Sequence, residues 1–431
     1  MNPRTRTKAW LLRASVAAAA TTCSMAAQAQ TVMATPAPEA AASAANPLNL
    51  RQVFDAAWAR QPEAMALQAR RDAARAQQRA AQAWTPEPAA LELSNKTDRL
   101  NRNQGAREIE VGVAVPLWLP GERSRSTALA DAESTAIESR ATAAQLRVAA
   151  TVREAWWQWQ RARIEVGTSR DQLDNTRRIA ADVARRTKAG DLARADQHQA
   201  DGAVASAEAG MAQAEAGLAA ARQQLRALAG AAPASAESGD TLAEPDPGTA
   251  SADLEAHAAL QELKDRAAVA ERTVDLTASQ SRANPELMLA TTGDRGAFGE
   301  ATQQTITLGV RIPFGGGPRS AARTASARAE ATEVQAQLAL ERERLTAERE
   351  AARVRVESSR LQLAAAERRA QLARESRGFF DKSFRLGETD LPTRLRIEAE
   401  AAEAERQAAR TRIELAAAIS AWRQALGVLP Q

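Results

Sequence analysis

Residues 108–118 read EIEVGVAVPLW, and residues 305–315 read TITLGVRIPFG. In the first stretch Ile109, Val111, Val113, Val115 and Leu117 alternate with Glu108, Glu110, Gly112 and Ala114. In the second, Ile306, Leu308, Val310, Ile312 and Phe314 alternate with Thr305, Thr307, Gly309 and Arg311. A period of two, aliphatic on one face and polar or minimal on the other, describes a strand with one apolar and one wet side. The two stretches align without a gap at a spacing of 197 residues. Pro88 and Pro285, Pro116 and Pro313, Gly190 and Gly387, and Gly230 and Gly427 share that spacing. The chain is one unit written twice.

Working outward, each strand is the second arm of a hairpin, with turns around residues 101–105 and 294–299. In the first arms Leu91 and Leu93 alternate well, whereas Leu287 and Leu289 fall one residue out of phase with them. After each hairpin comes a helical stretch without proline, residues 123–186 and 319–384. At about 1.5 Å per residue each is a rod of roughly 100 Å, too long for a compact domain. Shorter return helices (192–229 and 391–426) pair with the far half of each rod, and helices before the hairpins (50–84 and 253–281) with the near half. The fold class is mainly α with β-hairpins.

The 431 residues are 45% hydrophobic but only 3% aromatic, with no tyrosine. That composition suits long helices packed through small residues better than a globular enzyme core. The formal charge of +4 does not signal nucleic acid: residues 1–29 hold Arg4, Arg6, Lys8 and Arg13 and no acid, which leaves 53 basic and 53 acidic residues in the rest. That basic start, an alanine-rich apolar run and AQA at residues 27–29 form a secretory signal with cleavage expected before Gln30. The only cysteine, Cys23, lies inside it; the preceding ATT lacks the leucine usual before a lipidated cysteine, so its plain reading is loss with the signal. The expected organisation is a signal (1–29), a leader (30–46), a first repeat (47–230; hairpin 88–118, long helix 123–186, tip turn 187–191), a linker (231–250) and a second repeat (251–431; hairpin 285–314, long helix 319–384, tip turn 385–391).

An exported chain without a transmembrane helix can still enter a bilayer as a closed β-barrel. Two hairpins supply four strands and barrels need about eight or more, so several chains must share one barrel. Ile109, Val111, Val113, Ile306, Leu308 and Val310 are then expected to face lipid, with Glu108, Glu110 and Arg311 toward water. Gly112, on the wet face, is expected to accept a long side chain that Val111 would not. Trp118, Phe298 and Phe314 sit at strand ends or turns, where interfacial aromatics belong. The plainer alternative is a soluble hairpin cap on a coiled coil.

The signal, the duplicated unit, the Pro-bounded hairpins ending in VPLW and IPFGGG, the rods and the glycine turns RRTKAGDLARADQHQA (185–200) and KSFRLGETDLPTRLRIEA (382–399) together resemble the TolC outer-membrane efflux family over about residues 47–430. The resemblance implies a homotrimer with a twelve-stranded outer-membrane barrel and a periplasmic α-helical barrel. It also implies a periplasmic membrane-fusion adaptor and an inner-membrane pump, of RND type by preference, as partners, and no cofactor. The short chain and IPFGGG are similar to the heavy-metal resistance branch. Conduits for drugs or for type I protein secretion, and a periplasmic adaptor or scaffold without a pore, stand as alternatives.

By the same resemblance the tip turns, with Gly190, Asp191, Asp196, Gly387, Glu388 and Asp390, form the periplasmic gate and adaptor-docking end. Asp196 matches a carboxylate common in the family six residues after the first glycine. Thr389 and Thr393 stand where the best-known member has a basic residue and an aspartate, which puts its interlocking salt bridge in doubt here. Elsewhere the residues read plainly. His198, near Asp196 and Asp201, offers one imidazole and no chelate, so no metal site is expected. Trp156 and Trp159 share a helix face and are expected to pack. Glu341 and Glu343 lie among arginines on a solvated helix, and no nucleotide loop or catalytic grouping is present, so no enzyme is expected.

Overall fold

The computed structural model describes residues 49–101, 103–230, 243–247 and 253–431. The expected signal and leader, Cys23 and most of the linker lie outside these residues. The sequence predicts one helix over residues 50–84, and the structure has two, α1 (Leu50–Ala59) and α2 (Pro62–Ala81). Pro62 divides them: proline disfavours helical geometry in the residue before it, and Gln61 is extended at φ −72°, ψ 138°. Strands β1 (Ala90–Thr97) and β2 (Arg107–Pro116) follow, then α3 (Glu122–Ala189) and α4 (Arg194–Ala229). The second repeat opens with a 3-10 turn (Leu254–Ala256) and continues as α5 (Ala258–Ser279), β3 (Glu286–Arg295), β4 (Gln303–Arg311), α6 (Gly317–Arg385) and α7 (Leu391–Ala425). His257 joins turn to helix: its buried Nδ1 accepts the Ala259 N–H at 3.3 Å and caps α5.

The rods α3 and α6 have 68 and 69 residues. Alanine lets other helices approach them closely. Ala200, Ala207, Ala214 and Ala221 of α4 are buried at one-heptad intervals along its contact with α3. Lower on the second rod, Ala370 packs with Ala404 and Ala408 of α7. The large side chains gather midway up α3, where Trp156, Trp157 and Trp159 pack with Leu50, Val53 and Phe54 of α1, Leu225 of α4 and Ile413 of α7. The Trp156 and Trp159 rings lie 5.1 Å apart and tilted by 53°, a packing role as expected. Among the described residues no helix is long and apolar enough to cross a membrane.

The four strands form one antiparallel sheet in the order β1-β2-β3-β4. The two hairpins join along β2 and β3, from Arg107 against Arg295 to Pro116 against Glu286. The phase slip of Leu287 and Leu289 has its explanation in the turns. Nine residues separate the paired Thr97 and Arg107, but eight separate Asp294 and Gln303. The missing residue shifts the register by one, so Leu289 lies opposite both Val113 and Leu308. At the foot of the sheet the buried carboxylate of Glu122 accepts the Leu119 N–H at 2.9 Å and the side-chain amides of Gln280 and Asn284 at 2.8 Å each. This one residue seats the entry of the second hairpin on the first rod.

Candidate functional site

The sheet has two chemically distinct faces. Leu91, Leu93, Ile109, Val111, Val113, Leu287, Leu289, Ile306, Leu308 and Val310 share one face by pairing, and all are exposed; Leu91, Leu93, Ile306 and Leu308 are open by 71 to 75%. The opposite face carries Glu92, Lys96, Glu108, Glu110, Glu286, Asp294 and Arg311, with small Gly112, Ala114 and Ala290 buried among them. Lys96 pairs with Glu108 at 2.7 Å and Arg311 with Glu286 at 3.1 Å. Gly112 is more closely covered than the sequence suggests: a Cβ there would come within 3.1 Å of the Ala290 Cβ, so a side chain has to push β2 and β3 apart by a few tenths of an ångström.

Aromatic residues flank the aliphatic face, though not all where the sequence suggests. Phe314 at the helical end and Phe298 at the turn end are 88% and 61% exposed. Trp118 is half-buried and donates from Nε1 to the Ala83 carbonyl at 3.2 Å, which makes it packing. Trp84, which the sequence reading passed over, is 94% exposed at the same end as Phe314. Its signal was its place just outside the strand, in AWTPEP.

At the far end both rods stop in the same way. Gly190 and Gly387 adopt left-handed backbone at φ +91° and +79°. Asp191 N–H reaches back to the Arg186 carbonyl at 3.0 Å, and Glu388 N–H to Ser383 at 3.0 Å, so each glycine closes its helix in a Schellman turn. The expected tip acids then divide into two kinds. Asp196 accepts the Ala193 N–H at 3.0 Å at the start of α4, and Asp390 accepts the Thr393 N–H at 3.2 Å at the start of α7. The Thr393 hydroxyl and N–H hold the Asp390 carboxyl below its ordinary range. Asp191 and Glu388 are exposed at the reversals. Asp390→Ala should therefore cost about 1 kcal/mol, as lost caps do, whereas Asp191→Asn and Glu388→Gln should leave thermal unfolding unchanged. Equal melting of all three variants would refute this division.

Just above the turns lies a cluster that sequence reasoning missed. The buried Phe384 ring is covered by the guanidinium groups of Arg394 (4.6 Å) and Arg186 (4.9 Å). Arg394 pairs with Asp381 at 2.6 Å, Arg385 with Asp381 at 2.7 Å, and Arg186 with Asp182 at 3.5 Å. Arg186 also donates to the Phe384 carbonyl at 3.1 Å. Asp182, Arg186, Asp381, Arg385 and Arg394 line one end of a groove of about 1200 Å³ between α3, α6 and α7. Farther along it Glu398 is pushed up by burial, with Arg377 at 3.4 Å opposing the shift. The pairing is long-range, so the sequence offered only one signal: Phe384 is one of six phenylalanines.

A duplicated rod-and-hairpin chain, with a four-stranded sheet apolar on one face and rods that end in glycine turns, has the fold of the channel-tunnel structures. Residues 53–231, the first repeat, match the outer membrane efflux protein family. The fold is similar to that of CusC, a protein described as forming a transmembrane channel (TM-score 0.74, 16% identity, 88% of this chain and 92% of that one). It is also similar to the outer membrane protein VceC of Vibrio cholerae (0.69, 18%, 88% and 96%) and to the outer membrane channel MtrE of Neisseria gonorrhoeae (0.67, 14%, 88% and 89%). No curated protein matches the sequence. The chain thus resembles the outer membrane efflux proteins in the sequence of its first repeat and in its fold.

Proposed function

We propose that three copies of this chain close a twelve-stranded barrel in the outer membrane and continue it across the periplasm as a helical tunnel. In this reading the tunnel passively conducts substrate, heavy-metal cations by preference, from an inner-membrane pump of RND type and its periplasmic adaptor to the exterior. The observation that carries it is the sheet: four strands with an exposed, largely aliphatic face and unpaired outer edges, β1 and β4. Four strands cannot close a barrel, and an open edge cannot persist in lipid, so β4 of one copy must join β1 of the next. Energy comes from the pump, and the chain itself carries out no chemistry. A pore-free adaptor would have no use for an aliphatic sheet face with aromatic ends.

The preference for cations rests on the wet face. It bears Glu92, Glu108, Glu110, Glu286 and Asp294 against Lys96 and Arg311, a surplus of three acids per chain. Rings of like charge around a pore favour counter-ions. Asp191 and Glu388 would add further rings at the tip. The test is single-channel recording in a planar bilayer. The native protein should conduct steadily and prefer potassium to chloride, and Glu92→Gln with Glu110→Gln should reduce that preference at least twofold. A water-soluble product without conductance would sink the channel reading. Conductance with unaltered selectivity would sink only the cation preference and leave drugs or secreted proteins as the cargo.

A further inference from the structure

Among the described residues the strands hold five acids, and all of them lie on the wet face: Glu92, Glu108, Glu110, Glu286 and Asp294. The aliphatic face has no acid but two bases, Arg107 and Arg295, which the pairing of β2 with β3 places directly opposite each other at the turn end. Like charges so placed repel. The ion pairs of the sheet, Lys96 with Glu108 and Arg311 with Glu286, are on the other face, and among the described residues neither Arg107 nor Arg295 has one. We propose that Arg107 and Arg295 bind the phosphate groups of lipopolysaccharide in the outer leaflet, whose acyl chains then lie along the aliphatic strands beneath. The proposal rests on the channel reading above, which puts lipid on this face and the turn end outside.

Level, geometry and chemistry converge on this site. Arg107 is four residues from Val111 along β2. At about 3.4 Å per residue and a tilt near 40° it stands roughly 10 Å above the middle of an apolar band about 25 Å tall, where acyl chains give way to headgroups. The side chains change at the same level. The row through Val111 holds Leu93, Thr291 and Ile306, the next Asn95, Ile109, Gly293 and Gln304, and the last Thr97, Arg107 and Arg295. The rim is also held in place. Phe298 N–H donates to the Gln104 carbonyl at 2.9 Å and ties the two turns together. Arg295 donates to the Gly105 carbonyl at 3.2 Å through Nε alone, with its guanidinium 5.9 Å from the centre of the Phe298 ring. Arg107 is exposed. Opposed residues on paired strands have Cβ atoms about 5 Å apart, so the two guanidinium forks can grip one phosphate and lose their mutual repulsion to it. A free anion would meet the same charges. A site at the border of the apolar band, with exposed Ile109, Val111 and Ile306 below it, suits a phosphate that carries acyl chains.

The test is binding of purified lipopolysaccharide to the detergent-solubilised trimer. Arg107→Gln combined with Arg295→Gln should weaken binding at least tenfold. Lys96→Gln, at the same end but on the wet face, should leave it within twofold of the native protein. Lipopolysaccharide stripped of its phosphates should bind the native trimer as weakly as the intact lipid binds the double variant. A conducting trimer whose lipid binding survives the double substitution, or the loss of the phosphates, overturns the site and leaves the channel reading standing. Inorganic phosphate that binds as tightly as the lipid, with the same dependence on the two arginines, overturns the lipid assignment. A protein that stays monomeric, non-conducting and free of lipid overturns both readings.

Discussion

Glu244→Ala should lower the stability of the assembled protein by about 3–5 kcal/mol, among the largest losses for any single truncation in this chain. Glu244 belongs to a short segment between the repeats that composition marks as linker. Its side chain is 1% exposed. Arg153 of α3 grips it through two bonds of 2.9 and 2.7 Å, Ser420 of α7 donates to it, and Arg423 of α7 lies 3.3 Å away. Arg153 also donates to Gln424, whose amide reaches the Leu146 carbonyl at 2.8 Å. One carboxylate therefore neutralises two buried guanidinium groups from different repeats. Removing it leaves both charges uncompensated in a desolvated site, which is why the loss should exceed the net worth of the pair. The measurement is the melting temperature of the detergent-solubilised oligomer. Arg153→Ala should be nearly as damaging alone, and the double variant should fall well short of the sum. Additive losses would mean that Glu244 and Arg153 act independently.

The contrast between this peg and the sheet shows what a sequence can carry. Alternation over Ile109 to Val115 and Ile306 to Ile312 is local, so both strands and their faces were legible from period two alone. The rods were legible because nothing in residues 123–186 or 319–384 interrupts a helix. Leu287 and Leu289 looked out of phase because their face depends on a turn one residue shorter than its counterpart, a length that only pairing reveals. Glu244, Arg394 and Phe384 were illegible for a stronger reason. Their partners lie between 10 and about 200 residues away, and an acid in a Pro- and Gly-rich segment looks like any solvated loop residue until a buried arginine is placed beside it. The acids named for the tip lie beside the chain reversals, but sequence spacing cannot tell a helix-capping carboxylate such as Asp390 from an exposed one such as Glu388.

In the proposed trimeric barrel, where the aliphatic face meets lipid, Val111→Arg should cost about 2–4 kcal/mol and reduce the oligomer recovered from the outer membrane, because a guanidinium at mid-depth has no partner there. Val111 is the fifth residue of the ten in β2 and sits between Leu93 and Thr291 on the aliphatic face. At about 3.4 Å per residue and a tilt near 40°, ten residues span roughly 25 Å of barrel height, the thickness of the apolar band, so Val111 lies close to its middle. The matched control is its neighbour Glu110, not Gly112, where an added Cβ would press on Ala290 at 3.1 Å. Glu110 points to the wet face, where Ser94 is its cross-strand neighbour. Glu110→Arg should assemble normally and shift selectivity toward anions, since it exchanges an acid for a base in each of three chains. The two substitutions introduce the same side chain one residue apart. Their difference therefore isolates the medium that each face meets, and equal recovery of both oligomers would place lipid on neither.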